Sequence, residues 1–573
     1  MLLVLKNVKK LPVGIDDFEK IRTQDFYYID KTGLIEELLD NWGEVNLITR
    51  PRRFGKSLNM SMLKCFFSND NNPSIFDGLE ISKHQKVCNE YMGKFPVIDI
   101  TLKGVNGNNF ESARAMMCSV IGHESMRFQF LLDSDKLSDK DKLYYNQLTA
   151  VGLDQAEAFP MSDDILSNSL LNLSYLLRKH FDQKVIILID EYDVPLDKAF
   201  QFGYYEQMAN LIRNLFNQAL KGNANLYFSV LTGCLRISKE SIFTGLNNPK
   251  VLSISDVEFD EYFGFVDEEV QDLLSFYDLS QHYDSVKEWY DGYRFGNVDV
   301  YCPWDVISYV SDLRTNPNVL PKDYWTNTSS NDIVKRFLNK ARASTTKREI
   351  ETLIAGGTIK KEIHQELTYK DIDASLINLW SVLFSTGYLT QDGLADGDEY
   401  NLRIPNLEIR KIFTKQIYRW FQENVEKDGQ TLNAFCDAIK SGDASMVQRY
   451  FNDYLGKTIS IRDTFVRKSM KENFYHGILL GLVAYKEDWD VSSNKESGQG
   501  YSDIIIEIEH ENMGIILEIK YGNLNNLDVA CEEALQQIEL KQYDEELRRN
   551  GIQTIRKYGI ACYEKQCRVM IKE

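Results

Sequence analysis

A short apolar stretch, Val45–Thr49, leads into the tripeptide Gly55-Lys56-Ser57. In phosphate-binding loops of this kind, backbone N–H groups surround the β-phosphate, the lysine contacts the β and γ oxygens, and the next hydroxyl holds Mg²⁺. These roles would fall to Lys56 and Ser57. Because Arg50 stands where the first glycine of G-x-x-x-x-G-K-[ST] is expected, the tripeptide is also consistent with an ordinary helix N-terminus.

A second apolar run, Lys184–Ile189, ends in the carboxylates Asp190 and Glu191. Such runs are typical of strands buried in a parallel sheet, which bind ligands at their C-terminal ends. Asp190 would hold Mg²⁺, and Glu191 would polarise the water that attacks the γ-phosphate. Thr232, after another strand, could sense that phosphate, and Arg236 could supply charge to the transition state. The alternative is a core strand that ends at an acidic surface turn.

Strand-like and helix-length segments alternate around these motifs. Lys94–Ile100, Leu226–Thr232 and Val251–Ile254 are predicted strands, and the segments between them are long enough for helices. The alternation predicts an α/β fold with a doubly wound parallel sheet that has helices on both faces. Apolar residues at helical spacing, interrupted by turn signals, then predict a mainly helical region over residues 257–458.

A β-hairpin is predicted near the C-terminus, with Tyr501–Ile508 and Ile515–Lys520 as its strands. The period of two places Glu518 and Lys520 on one face, while Asp503 begins the neighbouring strand. Two carboxylates and a lysine can together bind a divalent metal and orient water for phosphodiester hydrolysis, with Mg²⁺ or Mn²⁺ as the expected ion. The alternative is a half-exposed hairpin whose polar face contains Glu-x-Lys by chance.

Several motifs together resemble the bacterial AAA-ATPase-like proteins, which carry a C-terminal nuclease-like domain of the PD-(D/E)xK type. The motifs are Tyr28–Thr32, Arg50–Ser57, Asp190–Asp193, Thr232–Lys239, Trp289–Gly296 and Tyr301–Trp304. The resemblance covers nearly the whole chain, and an arginine-rich phosphate loop is usual in that family. It implies a P-loop ATPase fold followed by an α/β nuclease-like domain.

The resemblance also implies roles for particular residues. The implied nucleotide site consists of Arg50, Arg52, Arg53, Phe54, Gly55, Lys56, Ser57, Asp190, Thr232 and Arg236. In the nuclease-like domain, Asp503, Glu518 and Lys520 match the motif. Glu472 would be an additional acidic helper and Gln537 a polar residue facing the site. Ser502 precedes Asp503, so the proline-aspartate feature of the family name is absent.

The length of 573 residues predicts two or three domains. We expect an ATPase domain over residues 1–256, the helical region over 257–458 and the nuclease-like domain over 459–573. The formal net charge of −19 opposes indiscriminate binding to nucleic acid, so DNA contacts would be confined to basic patches. The candidates, which are equally consistent with solvated helix faces, are Lys335, Arg336, Lys340, Arg342, Lys347, Arg348, Arg548, Arg549, Arg556 and Lys557.

Targeting features are absent from the sequence. The start of the chain does not read as a signal peptide, and no apolar stretch reaches the about 20 residues that a membrane helix needs. The nine cysteines include no C-x-x-C pair, which favours reduced core thiols over disulfides or a zinc site. These features predict a cytoplasmic protein without a membrane partner, and they are compatible with a homo-oligomer.

Two functional hypotheses follow. In the first, the chain binds and hydrolyses ATP and couples its nucleotide state to a metal-dependent nuclease that acts on nucleic acid, with DNA favoured over RNA. In the second, the ATPase is a nucleotide-dependent switch or assembly module, and the nuclease-like domain binds nucleic acid or protein without cutting. The complete set of Asp503, Glu518 and Lys520 favours the first hypothesis.

Overall fold

A computed structural model defines the fold over most of the chain. It describes residues 9–41, 43–152, 158–236, 249–325, 332–340, 344–367, 369–372, 374–425, 429–457, 468–484, 486, 488–497 and 500–572. The chain divides into two compact units, Met1–Ser330 with Lys360–Glu408, and Asn331–Ile359 with Ile409–Glu573. The domain boundaries that the sequence predicts at residues 256 and 458 stay a prediction.

The strands, numbered in chain order, alternate with helices in the first half of the chain and cluster near its C-terminus. They are β1 Val45–Thr49, β2 Val97–Thr101, β3 Val185–Asp190, β4 Leu226–Gly233, β5 Lys250–Leu252, β6 Tyr293–Phe295, β7 Val298–Val300, β8 Ile359–Glu362, β9 Thr390–Gln391, β10 Glu399–Arg403, β11 Asp490–Ser497, β12 Gly500–Ile508, β13 Met513–Tyr521, β14 Thr554–Tyr563 and β15 Gln566–Lys572.

The α-helices are numbered in the same way. They are α1 Phe18–Thr23, α2 Gly33–Asn41, α3 Lys56–Phe67, α4 Gln85–Tyr91, α5 Phe110–Met126, α6 Asp139–Thr149, α7 Asp163–Phe181, α8 Val194–Phe202, α9 Tyr205–Leu220, α10 Asp267–Phe276, α11 Tyr283–Tyr290, α12 Pro303–Thr315, α13 Asp332–Lys340, α14 Ser344–Ile354, α15 Tyr369–Ile372, α16 Leu376–Ser385, α17 Leu407–Val425, α18 Gly429–Ser441, α19 Ala444–Lys457, α20 Lys468–Val483, α21 Leu527–Leu540 and α22 Glu545–Arg549. Among the described residues, none of these helices is both long and apolar enough to cross a lipid bilayer.

The first unit is built on a parallel five-stranded sheet with the order β2-β3-β4-β1-β5. Every residue of β1 and β3 is buried. Because successive side chains of a strand point to opposite faces, both faces of the sheet must be covered. The predicted doubly wound α/β fold is confirmed. The strand predicted from Lys94 begins instead at Val97, after Pro96, which has no N–H to donate to a sheet ladder.

The strand order determines where the predicted motifs meet. Strand β4 lies between β1 and β3, and all three run in the same direction. Their C-terminal ends therefore lie side by side at one edge of the sheet. The loop after β1 leads to Gly55, β3 ends at Asp190, and β4 contains Thr232 near its end.

The chain that follows the sheet adds a helical layer and a short hairpin to the first unit. Helices α10, α11 and α12 share an apolar core that includes Leu273, Tyr290 and Val310. Strands β6 and β7 pair as an antiparallel hairpin between α11 and α12. Since α12 begins directly after this hairpin, its first turn is held next to the phosphate loop, as the contacts described below show.

The second unit contains a mixed five-stranded sheet with the order β11-β12-β13-β14-β15. Strands β12 and β13 pair antiparallel, so the predicted hairpin is confirmed, whereas β13 and β14 are parallel. Ile505, Ile516 and Ile538 form a core between this sheet and α21. Helices α20 and α21 precede and follow the hairpin in the chain.

Candidate functional site

The loop between β1 and α3 alternates between negative and positive φ, which is a feature of anion-binding loops. Arg53 and Gly55 both lie in the left-handed region, with φ of 73° and 82°. Left-handed residues between right-handed ones turn successive N–H groups into one concavity. A side-chain Cβ at Gly55 would meet no atom within 4 Å, so glycine is needed there for its φ angle and not for space.

The carbonyl groups of the loop are fastened to the surrounding structure. The carbonyl of Arg52 accepts a hydrogen bond of 3.3 Å from the indole Nε1 of Trp325, and the Cys302 thiol lies 3.9 Å from the Arg53 carbonyl. In a trans peptide the carbonyl and the following N–H point in opposite directions. The N–H groups of Arg53 and Phe54 therefore point away from Trp325 and Cys302.

Aromatic side chains hold the rest of the loop. Phe54 is completely buried, with its ring centre 4.9 Å from that of Tyr293 and 5.0 Å from that of Phe295. The guanidinium of Arg53 lies 4.4 Å from the ring centre of Trp304, at the start of α12. The Trp289–Gly296 and Tyr301–Trp304 motifs thus supply side chains that position this loop.

Lys56 begins α3 with its ammonium group buried inside the loop. Its Nζ donates to the carbonyls of Arg50 and Pro51 at 3.2 Å and lies 3.6 Å from the Glu191 carboxylate. Burial acts to lower the pKa of Lys56, but the neighbouring Cys234 and Glu191 groups outweigh it and raise the pKa. A permanently charged lysine is what recognition of phosphate requires.

Ser57, Asp190 and Thr232 form a hydrogen-bonded set behind the loop. The Ser57 hydroxyl donates to Asp190 Oδ2 at 2.6 Å, and the Thr232 hydroxyl donates to Asp190 Oδ1. Burial, reinforced by the charge of Glu191, raises the pKa of Asp190. A hydroxyl and a carboxylate at hydrogen-bond distance are hard oxygen donors that fit Mg²⁺, which would also offset this crowding of negative charge.

Glu191 adopts a left-handed backbone with φ of 54°, a conformation that is costly for a residue with a Cβ. Two residues on, Asp193 Oδ2 accepts the N–H groups of Cys234 and Leu235 at 2.8 and 3.0 Å. Burial raises the pKa of Asp193 to about 6. This carboxylate ties the segment after β3 to the segment after β4, and so fixes Glu191 relative to Thr232.

The loop opens into a cavity of about 430 Å³ within the first unit, a volume suited to a nucleotide-sized ligand. Its polar lining includes the loop from Arg52 to Asn59 together with Glu191 and Lys103. Its apolar lining includes Ile15, Tyr27, Phe265, Trp304 and Ile307. Sequence reasoning did not assign Trp304 to the site, although it lies in one of the quoted family motifs.

Arg50 occupies a different place from the other loop residues. It is completely buried, and its guanidinium donates to the carbonyls of Thr49, Leu252 and Ser253 at 2.8 to 3.0 Å. Burial lowers its pKa to about 10. Arg50 does not line the cavity. Its side chain therefore fastens the end of β1 to the chain after β5. The first glycine of the common motif has no side chain and would leave this space empty.

Arg236 is likewise not among the residues that line the cavity. Its guanidinium pairs with the Glu366 carboxylate at 2.7 Å. The next part of its motif, Ile237, Ser238 and Lys239, lies outside the described residues. Of the residues predicted for the ATP site, the structure thus brings the nucleotide-binding residues Arg52, Arg53, Phe54, Gly55, Lys56 and Ser57 and the catalytic Glu191 to the cavity, with Asp190 and Thr232 directly behind Ser57.

In the second unit, Asp503, Glu518 and Lys520 converge across β12 and β13. Lys520 Nζ donates to Glu518 Oε1 at 3.1 Å, and the Asp503 N–H lies 3.4 Å from Glu518 Oε2. Asp503 Oδ2 accepts the Ile519 N–H at 2.8 Å. Strand periodicity predicted the shared face of Glu518 and Lys520, and pairing of the two strands brings Asp503 to them.

Glu518 is only 2% exposed, and burial together with the Asp503 charge raises its pKa to about 7. Two carboxylates held together in this way are oxygen donors that fit Mg²⁺ or Mn²⁺, because a dication offsets their repulsion. Among the described residues, however, no group of three or more His, Cys, Asp or Glu side chains is arranged to hold a metal ion. A metal at Asp503 and Glu518 would therefore need backbone or water oxygens as further ligands.

Three other side chains surround this carboxylate pair. Gln537 Nε2 donates to Glu518 Oε1 at 2.5 Å, and Glu472 Oε1 accepts the Tyr521 N–H at 3.2 Å. His476 Nε2 lies 3.0 Å from the Asp503 carbonyl, and sequence reasoning did not assign it. Its position one helical turn after Glu472 was the available signal, since residues i and i+4 share a helix face.

Three of the predicted basic residues, all near the C-terminus, form ion pairs. Lys557 is buried between Glu539 and Asp544, and Arg548 and Arg549 pair with acidic residues of α22 or its N-cap. Arg342 lies outside the described residues, as does the side chain of Lys347. The pairs of Arg548 and Arg549 are those expected of a solvated helix face, the alternative left open by the sequence, whereas Lys557 is buried on β14.

Comparison with known proteins agrees with this two-part architecture. Residues 12–243 match the family model described as predicted AAA-ATPase, and residues 470–572 match that of the PD-(D/E)XK nuclease superfamily. A protein of Azotobacter chroococcum mcd 1, described as an uncharacterized protein in the vnfD 5′ region, is 24% identical over 561 residues, which cover 95% of this chain and 94% of that protein. No solved structure matches the chain. The predicted AAA-ATPase-like and PD-(D/E)xK nuclease-like regions are confirmed.

Proposed function

We propose that the first unit binds ATP with Mg²⁺ and hydrolyses it. The observation that carries the proposal is the meeting of Lys56, Ser57, Asp190 and Glu191 at the cavity into which the phosphate loop opens. In this proposal the loop N–H groups and Lys56 bind the β- and γ-phosphates, and Arg52 and Arg53 add positive charge at the cavity wall.

Ser57 and Asp190 would hold the metal ion, which when bound neutralises charge on the phosphate oxygens. Thr232 keeps Asp190 in place through its hydroxyl, and Glu191 accepts a proton from the attacking water. Glu191 lies beside Lys56. Phosphate binding would draw Lys56 towards the nucleotide and release Glu191 to act on water.

Nucleotide binding and hydrolysis by three variants test this assignment. Lys56→Met should abolish detectable ATP binding, whereas Glu191→Gln should bind ATP and hydrolyse it at least about 100-fold more slowly. Lys64→Met is a matched control, because Lys64 lies on the same helix but pairs with Asp99. Wild-type hydrolysis in both Lys56→Met and Glu191→Gln would refute the proposed site.

We further propose that the second unit cleaves nucleic acid, with DNA favoured, in a metal-dependent reaction. Asp503 and Glu518 would bind Mg²⁺ or Mn²⁺, and Lys520 would orient the attacking water. Gln537 and Glu472 support this arrangement, since Gln537 donates to Glu518 and Glu472 anchors the backbone next to Lys520. The convergence of Glu518 with Asp503 and Lys520 carries this part of the proposal.

Cleavage of plasmid, linear and single-stranded DNA with Mg²⁺ or Mn²⁺ tests the nuclease assignment. Glu518→Gln and Lys520→Met should lose cleavage but keep most of their DNA affinity, because affinity depends mainly on phosphate contacts made elsewhere. Glu509→Gln is a matched control in the short turn after β12. Persistent cleavage by Glu518→Gln would refute the site.

A second candidate function is a nucleotide-dependent switch or assembly module that binds nucleic acid or protein without cutting it. The specific observation in its favour is that Glu518 is only 2% exposed and already accepts hydrogen bonds from Lys520 and Gln537. Absence of cleavage with every metal and nucleotide, together with retained DNA binding, would support this function over the nuclease.

Coupling between the two activities is the last part of the proposal. If nucleotide state controls cleavage, ATP, ADP and no nucleotide should give different cleavage rates. Glu191→Gln with ATP should then cleave at the rate of the ATP-bound state. A nucleotide can shift such an equilibrium only through different affinities for the two states. Equal rates under all three conditions would instead indicate two independent modules.

A further inference from the structure

Two carboxyl groups are buried together behind the phosphate loop, and the proposed reaction does not use them. Asp305, in the first turn of α12, is 0% exposed, and Glu408, at the start of α17, is 1% exposed. The two side chains lie close enough for the charge of Asp305 to raise the pKa of Glu408. No nitrogen or oxygen donor among the described residues reaches either Asp305 oxygen or Glu408 Oε2.

Two ionised carboxylates cannot form a hydrogen bond, because both are acceptors. Their close approach therefore requires a proton between them, as in other buried acid pairs that share a proton. Burial opposes ionisation of either group and raises the pKa of Asp305 to about 7. Burial and the charge of Asp305 raise that of Glu408 to about 10. The pair thus retains a proton at neutral pH.

Each member of the pair is connected to the phosphate loop through one neighbouring residue. The Trp325 main-chain N–H donates to Glu408 Oε1 at 2.7 Å, and its indole N–H donates to the Arg52 carbonyl. Cys302, which lies beside Asp305, contacts the Arg53 carbonyl. These are the two carbonyls whose outward orientation turns the following N–H groups away from Trp325 and Cys302.

We propose that Asp305 and Glu408 are positioning residues whose shared proton holds Trp325 and Cys302 in place. Trp325 and Cys302 in turn keep the phosphate-loop carbonyls turned outward, and the loop is then ready to bind nucleotide. This inference rests on the proposed ATP site. Loss of the proton would leave two negative charges in contact, and their repulsion would displace Glu408 and with it Trp325. The second charge would also attract the Arg53 guanidinium, the cation that already acts on Asp305.

Titration of the other charged and titratable groups around the pair does not account for a displacement of Glu408 and Trp325. Cys302 lies at the N-terminus of the same helix, Tyr293 faces the pair from β6, and Tyr290 faces it from α11. Burial raises the pKa of all three well above their ordinary values. Tyr324 and Asp323 face Glu408 from the segment before Trp325, and burial also raises the pKa of Tyr324. The acid pair is therefore the group that loses its proton first as the pH rises.

The test compares ATP affinity from pH 6.5 to 10 in the wild type and in Asp305→Asn/Glu408→Gln, which replaces the shared proton with permanent amide donors. The wild-type dissociation constant should rise about twofold at pH 10, where about half of the pairs have lost the shared proton, and that of the double variant should not rise. Glu408→Ala should weaken ATP binding at pH 7 by about tenfold or more, with binding restored in Glu408→Gln. Glu351→Gln, at a buried glutamate that pairs with Lys565, should behave as the wild type.

A measurement without nucleotide separates this inference from the proposed ATP site. Deuterium uptake by the peptide spanning residues 50–57, corrected for intrinsic exchange rates, should increase between pH 7 and pH 9 in the wild type but not in the double variant. Equal uptake in the two proteins, or the same pH dependence of ATP affinity, would overturn the positioning role. If the wild type binds no ATP but shows the predicted uptake difference, the ATP proposal fails and the positioning of the loop stands.

Discussion

Replacement of Gly55 by alanine isolates the energetic contribution of backbone conformation in the phosphate loop. Gly55 has φ of 82°, and a Cβ there would meet no atom within 4 Å. Overpacking is therefore excluded, and the cost is that of placing an L-residue in the left-handed region, about 1–2 kcal/mol. This corresponds to a factor of about 5–30 in an equilibrium constant.

The cost of Gly55→Ala can appear in either of two measurements. If the introduced alanine keeps the left-handed conformation, the unfolding free energy falls by about 1–2 kcal/mol. If the loop relaxes instead, ATP binding must restore the left-handed conformation, and ATP affinity falls by about 5- to 30-fold. We expect the two losses to add up to the same total. Gly203→Ala is the matched control, because Gly203 has φ of 81° and equal free space but caps α8.

Urea unfolding of the full chain and titration with a fluorescent ATP analogue provide the two measurements. Gly203→Ala should lose stability by a similar amount and keep its ATP affinity. Gly55→Ala with wild-type stability and wild-type affinity would refute the reasoning, because a left-handed backbone at residue 55 would then not be required in either state. A large affinity loss in Gly203→Ala would show that the effect is not specific to the loop.

Four further predictions concern other parts of the two sites. Arg236→Ala should keep ATP turnover within about twofold of wild type, because the Arg236 guanidinium pairs with Glu366. A more than tenfold fall in kcat at unchanged KM would instead support the transition-state role predicted from sequence. Glu518 has a pKa raised to about 7, so metal-dependent cleavage by the wild type should fall as the pH drops from about 8 to 6, where protonation competes with the metal. A flat wild-type profile over this range would contradict the prediction. In the metal-free protein the same raised pKa means that Glu518 contributes stability at low pH, which is lost as the pH rises from about 4.5 through 7. ATP should slow hydrogen exchange in residues 289–304, because Tyr293, Phe295, Cys302 and Trp304 contact the loop. Protection confined to residues 50–57 would argue that these contacts are not sensitive to nucleotide.

The amino-acid sequence alone determined the fold class and the order of the two regions. Continuous apolar runs such as Val185–Ile189 predict strands buried on both faces, and alternation around Glu518 and Lys520 predicts which side chains share a strand face. These properties follow from local chain geometry, whose period is fixed for each element. The phosphate-loop tripeptide was recognisable for the same reason, since its residues are contiguous.

Tertiary structure decided the placement of residues that are distant in sequence. Arg50 and Arg53 are three residues apart, yet one is buried against the chain after β5 and the other lies over Trp304 at the cavity. No local pattern encodes that difference, because it depends on where β5 and α12 pack. The pairing of Asp305 with Glu408 also joins segments about 100 residues apart, and the raised pKa of each acid results from their shared burial.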